Sequence, residues 1–99
     1  MLTKLKTIRS HVGLTRFLME CDGDAKPVGY VARVQIADIP SPYAYSPARQ
    51  VFGWNGKLVV WSEVAHRKYE VFEVPEDFAI FRNYEAAENY NYKATAKGN

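Results

Sequence analysis

Two short runs of alternating character face each other across Asn55-Gly56: Gln50-Val51-Phe52-Gly53-Trp54 before it and Lys57-Leu58-Val59-Val60-Trp61 after it. A two-residue reversal between strands takes positive φ at both central positions. Asn and Gly tolerate that, and the twist of such a turn matches its flanking strands. The reversal also fixes register. Trp54 is predicted opposite Lys57, Phe52 opposite Val59 and Gln50 opposite Trp61, all six on one face of the ribbon. Val51, Gly53, Leu58, Val60 and Ser62 fall on the other. Both faces are apolar. Downstream, residues 63–67 predict a break or bend, and Lys68 to Val74 a further strand of β-branched and aromatic residues.

Upstream, Leu14 to Cys21 alternates, with Thr15, Phe17, Met19 and Cys21 on one side. Val28 to Ile36 alternates too, with Val28, Tyr30, Ala32, Val34 and Ile36 sharing a face. Asp22-Gly23-Asp24-Ala25-Lys26-Pro27 between them is rich in turn residues, and the three segments together predict a hairpin. Leu2, Leu5, Ile8 and Val12 recur at near-helical spacing before Gly13, which predicts a short amphipathic helix closed by a glycine. Thr3, Thr7 and Ile8 are indifferent helix formers and leave a strand open as the alternative. Residues 37–48 hold three prolines, which remove backbone donors and exclude regular structure, and this loop carries Tyr43 and Tyr45. Pro75 suits the first position of a helix, with Glu76 and Asp77 in the turn where the dipole favours acids. Phe78, Phe81, Tyr84 and Ala87 then recur at helical spacing, predicting a helix from about Glu76 to Tyr90. Residues 93–99 are expected to fray. The fold class expected is α+β, an antiparallel sheet of about 4–5 strands built from hairpins, with a C-terminal helix. A short N-terminal helix is added if the first segment is helical. Residues 1–99 are read as a single domain.

Composition sharpens this picture in one respect. Seven Tyr, five Phe and two Trp in 99 residues make the sheet unusually aromatic. The net charge of +2 says little, but its distribution is uneven. Residues 1–19 contain Lys4, Lys6, Arg9 and Arg16 and no acid. Residues 63–90 contain Glu63, Glu70, Glu73, Glu76, Asp77, Glu85 and Glu88 against Arg67, Lys68 and Arg82. Such polarity steers partners, or is simply a solvated surface. The single cysteine excludes an internal disulfide. The basic N-terminus lacks the apolar stretch of a signal peptide, and the longest uncharged run, Ile39 to Ala48, is too short to span a bilayer. A cytoplasmic location with no membrane contact is the expectation.

Candidates for chemistry are few. His11, His66, Cys21 and the Asp22/Asp24 pair are the side chains able to act as nucleophile, acid, base or ligand. Neither histidine sits in a metal-ligand spacing, and Asp22-Gly23-Asp24 lacks the remaining ligands of a calcium loop. No nucleophile elbow, phosphate loop or dinucleotide glycine motif is present. An enzyme is therefore not expected, nor a metal or cofactor.

The aromatic hairpin carries the expectation that remains. One face of the sheet is buried by helices, and the second is covered either by another segment of the chain or by a partner. On the second reading Phe52, Trp54 and Trp61 stay partly exposed and join Tyr43, Tyr45 and Arg49 as anchors for another protein or a copy of itself. Tyr, Trp and Arg are the residues that dominate interface energetics. By size and composition alone, the chain is comparable to small proteins that inhibit a larger complex by occluding it. The alternative is a single-stranded nucleic-acid binder, with bases stacked on sheet aromatics and Lys4, Lys6, Arg9, Arg16, Arg33 and Lys57 along the backbone. A pI of about 8.7 and the acidic last third weigh against it.

Overall fold

β-branched and aromatic residues alternating about Asn55-Gly56 form the centre of a five-stranded antiparallel sheet in this computed structural model, which describes residues 2–37, 39 and 48–97, the last seven by backbone alone. The elements in chain order are β1 (Thr3–Ile8), α1 (His11–Glu20), β2 (Gly29–Ala32), a single 3₁₀ turn (Arg33–Ile36), β3 (Ala48–Trp54), β4 (Lys57–Ala65), β5 (Lys68–Glu73) and α2 (Tyr84–Lys97). The strands lie in the order β1-β5-β4-β3-β2. The fold is α+β with a C-terminal helix. Among the described residues no helix is long and apolar enough to cross a membrane.

The central reversal has the geometry its residues demand. Asn55 and Gly56 adopt φ of 50° and 74°, and Trp54 lies opposite Lys57 with Phe52 opposite Val59. β4 then runs to Ala65, and the bend expected over residues 63–67 falls at its end. The chain reverses at His66-Arg67, where Arg67 takes φ of 54°, and β5 pairs back along β4. The disturbance expected there is a register shift between Glu63 and Ala65.

Four expectations are corrected. First, residues 3–8 form strand β1 rather than a helix. A bulge at Leu5 between Lys4 and Lys6 shifts the alternation, so Leu2 packs into the core on one face while Leu5 and Ile8 pack on the other. That shift imitates a helical spacing. Second, Leu14 to Glu20 belongs to helix α1, with Cys21 as its C-cap. Ser10 caps it, accepting from the Gly13 backbone N–H at 2.9 Å, so Gly13 lies in the first turn of a helix instead of ending one. Leu14, Phe17, Leu18 and Cys21 fall at i, i+3, i+4 and i+7, the stripe a surface helix buries. Third, the predicted hairpin is therefore a helix-to-strand connection. Gly23, Asp24 and Ala25 all take positive φ there, and β2 ends at Ala32, where the Gln35 side chain accepts from the Ala32 N–H at 2.9 Å and closes the 3₁₀ turn. Fourth, the C-terminal helix begins at Tyr84, not near Glu76. The Phe78 N–H bonds Pro75 in a tight turn, Phe81 exchanges two backbone hydrogen bonds with Tyr30 (2.8 and 2.7 Å), and Asn83 caps Ala86 at 2.8 Å.

The core has two halves, one on each face of the sheet. Val31, Ile36, Val51, Val60, Phe72 and Val74 pack with Leu2, and Ile39 and Phe78 close over them. On the opposite face Ile8, Phe52, Val59, Tyr69 and Val71 pack beneath Phe17 of α1 and Cys21 at its C-terminal cap. Cover on both sides comes from within the chain.

Gly29 is the tightest point of this arrangement. A Cβ there would meet the Ile80 Cγ2 at 2.5 Å and the Phe81 carbonyl oxygen at 3.0 Å, because residues 80–81 extend the sheet past β2. Gly29→Ala is expected to cost about 1–3 kcal/mol by overpacking. Gly56→Ala, in open space but at positive φ, is expected to cost about 1–2 kcal/mol. Urea denaturation of both variants measures this, and an unchanged midpoint for Gly29→Ala would contradict the packing of residues 80–81 on β2.

Candidate functional site

α1 is apolar on both sides. Its inner stripe grips the sheet, and at 100° per residue Val12, Thr15, Arg16 and Met19 turn the other way. Val12 is 68% exposed and Met19 55% exposed. With His11 they line an open cleft of about 490 Å³. The outer side mixes these two apolar side chains with Thr15 and Arg16, and among the described residues the packed side of the helix is the inner one. The surroundings are basic: Arg9 and Arg16 are exposed, and Glu20 at the far end of the helix is the one acid of its segment.

Beneath and beside α1 lie two groups of packed rings. Trp54 packs on Phe17 with centroids 5.5 Å apart, and the Lys6 ammonium sits 5.6 Å from the Trp54 ring and 5.9 Å from that of Phe17. Such a cation is held by the ring quadrupole. Trp61 meets the edge of Tyr69 at 5.8 Å, and Tyr69 meets His11 at 5.7 Å. The Tyr69 oxygen lies 2.6 Å from the His11 Nδ1. Glu63 also hydrogen-bonds the phenol. Which of the phenol and the imidazole donates follows the tautomer of His11. Burial first, and the Glu63 carboxylate second, push the Tyr69 phenol above its ordinary range.

The residues expected to anchor a partner are dispersed. Phe52 is 2% exposed and belongs to the core, which corrects its assignment to an exposed patch. Trp54 and Trp61 are half-buried at the margin of α1, packed against the core beneath it. Arg49 alternates with Gln50 and so lies on the opposite face from both indoles, paired across to Val31. Burial and then the neighbouring Arg33 draw its pKa below the usual arginine value. Tyr43 and Tyr45 lie outside the described residues.

The basic residues follow no single track. Lys4 pairs with Glu70 at 3.3 Å and Lys57 with Glu73 at 3.7 Å. Lys6 lies over the rings, Arg9 and Arg16 flank α1, and Arg33 sits in the 3₁₀ turn near Arg49. The groups considered for chemistry are likewise spread out. The Cys21 thiol is buried and donates to the Phe17 carbonyl at 3.3 Å, with its pKa raised by burial and then by Asp22 and Glu20. Asp22 is tied to the end of β3 through its N–H on the Gly53 carbonyl, and His66 is exposed in the β4–β5 turn. No group of three His, Cys, Asp or Glu among the described residues is placed to hold a metal ion. Sequence reasoning missed Val12 and Met19, which show only once residues 11–20 are wound as a helix.

Two groups give a signature at alkaline pH. Tyr69 and Cys21 both hold their protons more tightly folded than unfolded, so their contribution is complete below the ordinary thiol and phenol ranges of about 9 and 10 and is lost as pH rises through the higher folded values. Stability is expected to fall with pH above those ranges, and Tyr69→Phe to reduce the slope. Chemical denaturation at stepped pH checks this. In the native protein Cys21 is expected to resist thiol reagents near neutral pH and to react once unfolded; ready modification of the folded form would contradict its burial.

Compared with family models, curated proteins and solved structures, the chain matches nothing.

Proposed function

We propose that this domain is a non-catalytic protein-binding module that docks through the outer face of α1. The observation carrying the reading is the exposure of Val12 and Met19, two turns apart over an open cleft, on a helix whose inner side is already committed to the core. Large apolar side chains that border a cleft with a basic rim match the anatomy of an interface: an apolar centre for affinity and charges for orientation. Trp54 and Trp61 contribute from the margin. Their exposed edges extend the apolar surface while their inner edges stay on Phe17 and Tyr69. Action by occlusion of a larger assembly fits a small rigid domain with one such face.

Single-stranded nucleic acid has less support as the ligand. Base stacking needs rings open to solvent on the sheet, and α1 covers the aromatic face. Two of the lysines it would use are engaged with Glu70 and Glu73. Nucleic-acid binding would also weaken steeply with salt through counterion release.

Val12→Asp with Met19→Lys tests the reading. The acid falls near the N-terminus of α1 and the base near its C-terminus, where the helix dipole favours each, so stability is expected within about 0.5 kcal/mol of the parent. Affinity capture from the native host is expected to retain a protein with the parent chain and to lose it with the variant. Equal capture by both chains would contradict docking on α1. Trp54→Ala with Trp61→Ala is a poorer probe, because both rings also pack against the core.

A further inference from the structure

A second exposed apolar surface lies at the edge of the sheet beyond β2, in a stretch of chain rich in acids. Beyond β2, Ile80 packs against Gly29 and Phe81 bridges to Tyr30, so this stretch sits side by side with β2. Tyr30 meets Tyr84 edge-on at 6.3 Å and Phe81 meets Tyr90 at 5.2 Å, which brings α2 into the same surface. Val28, Ile80, Tyr84 and Tyr90 are all exposed there. Glu76, Asp77, Glu85 and Glu88 lie in the same stretch of chain against Arg82, and Lys26 is exposed two residues before Val28. The surface of α1 has Val12 and Met19 among Arg9, Arg16 and His11, with Glu20 as its one acid at the far end.

We infer that the occupant of the α1 face is a second copy of this chain, presenting its Tyr84–Tyr90 edge. The inference rests on the reading of α1 as a docking face and names its partner. Charge complementarity carries it. An α1-to-α1 dimer about a twofold axis would set Arg9 and Arg16 of each copy against those of the other, and like charges across an interface are costly. Joining α1 to the α2 edge sets them against Glu85 and Glu88 instead. The two surfaces are different parts of the molecule, so the contact is heterologous, and each bound copy still offers one free surface of each kind. Assembly then proceeds head to tail and does not stop at two.

Light scattering across a concentration series at low salt tests this on the intact chain. The mean mass is expected to rise continuously with concentration and to fall back on adding salt, since exposed charges are screened beyond about 10 Å at 0.1 M. Arg9→Glu with Arg16→Glu, and separately Glu85→Lys with Glu88→Lys, are each expected to associate at least about tenfold more weakly than the parent. Mixed in equal amounts, the two variants regain complementary surfaces and are expected to recover the parent's mass. Far-UV circular dichroism verifies that each variant is folded. A mass that stays at one chain at every concentration, or that levels off at two, overturns the inference, as does a mixture that associates no better than its components. If the mass never rises while the Val12→Asp, Met19→Lys pair still loses a captured foreign protein, the second copy is excluded and the protein-binding reading stands.

Discussion

Both faces of the central sheet are apolar, and a chain of 99 residues has to cover each of them. This constraint organises the rest of the molecule. Val59 and Val71 point one way while Val60 and Phe72 point the other, so neither side of β4 or β5 can be left to water. Burying a side chain of this size is worth roughly 1.5–3 kcal/mol, and a small domain has few such contributions to lose. α1 supplies Phe17, Leu14 and Leu18 to one face. The 3₁₀ turn and the segment around Phe78 supply the other. The long excursions between strands exist to deliver these covers.

Covering one face with one short helix has a consequence for the helix itself. Ten residues give α1 a single inner stripe, yet Val12 and Met19 add a second apolar stripe that nothing in the described structure meets. The edge beyond β2 is similar, with tyrosines half committed to the fold through ring contacts and half turned to solvent. The charge imbalance between the two ends of the sequence follows the fold: Arg9 and Arg16 flank α1, and Glu85 and Glu88 belong to α2. Polarity that is unremarkable along a chain acquires meaning when each pole accompanies an exposed apolar patch.

What was legible in the residues follows how local each signal is. Asn55-Gly56 sets its own backbone geometry, so the central hairpin and its facing pairs could be derived without tertiary information. Lys68 to Val74 was equally plain, since both its neighbours in the sheet suit β-branched side chains. Residues 2–20 misled for the opposite reason. The bulge at Leu5 is imposed by pairing with β5, far away in sequence, and it turns a strand's alternation into an apparent helical spacing. Leu14 to Cys21 satisfies both periods, because Phe17 and Cys21 are spaced alike for a strand face and a helix face. Ser10 was the local sign that decides it, through its bond to Gly13. The start of α2 slipped because Pro75 opens a turn as readily as a helix, and the true cap, Asn83, lies eight residues on. The candidate site was hardly legible: both indoles were correctly assigned to one face, but what lies over that face depends on where α1 folds.

The order of strands carries a kinetic implication. β1 pairs with β5, and the Lys4–Glu70 bridge joins residues 66 apart in sequence. Loop closure over such a span is entropically expensive and slows folding relative to hairpins that close on themselves. During synthesis β1 emerges long before β5, its neighbour among the described strands, and waits for that partner until the chain has been made through Glu73. Throughout that interval its protection against mispairing is its own: two lysines in six residues, charges that blunt an open strand edge.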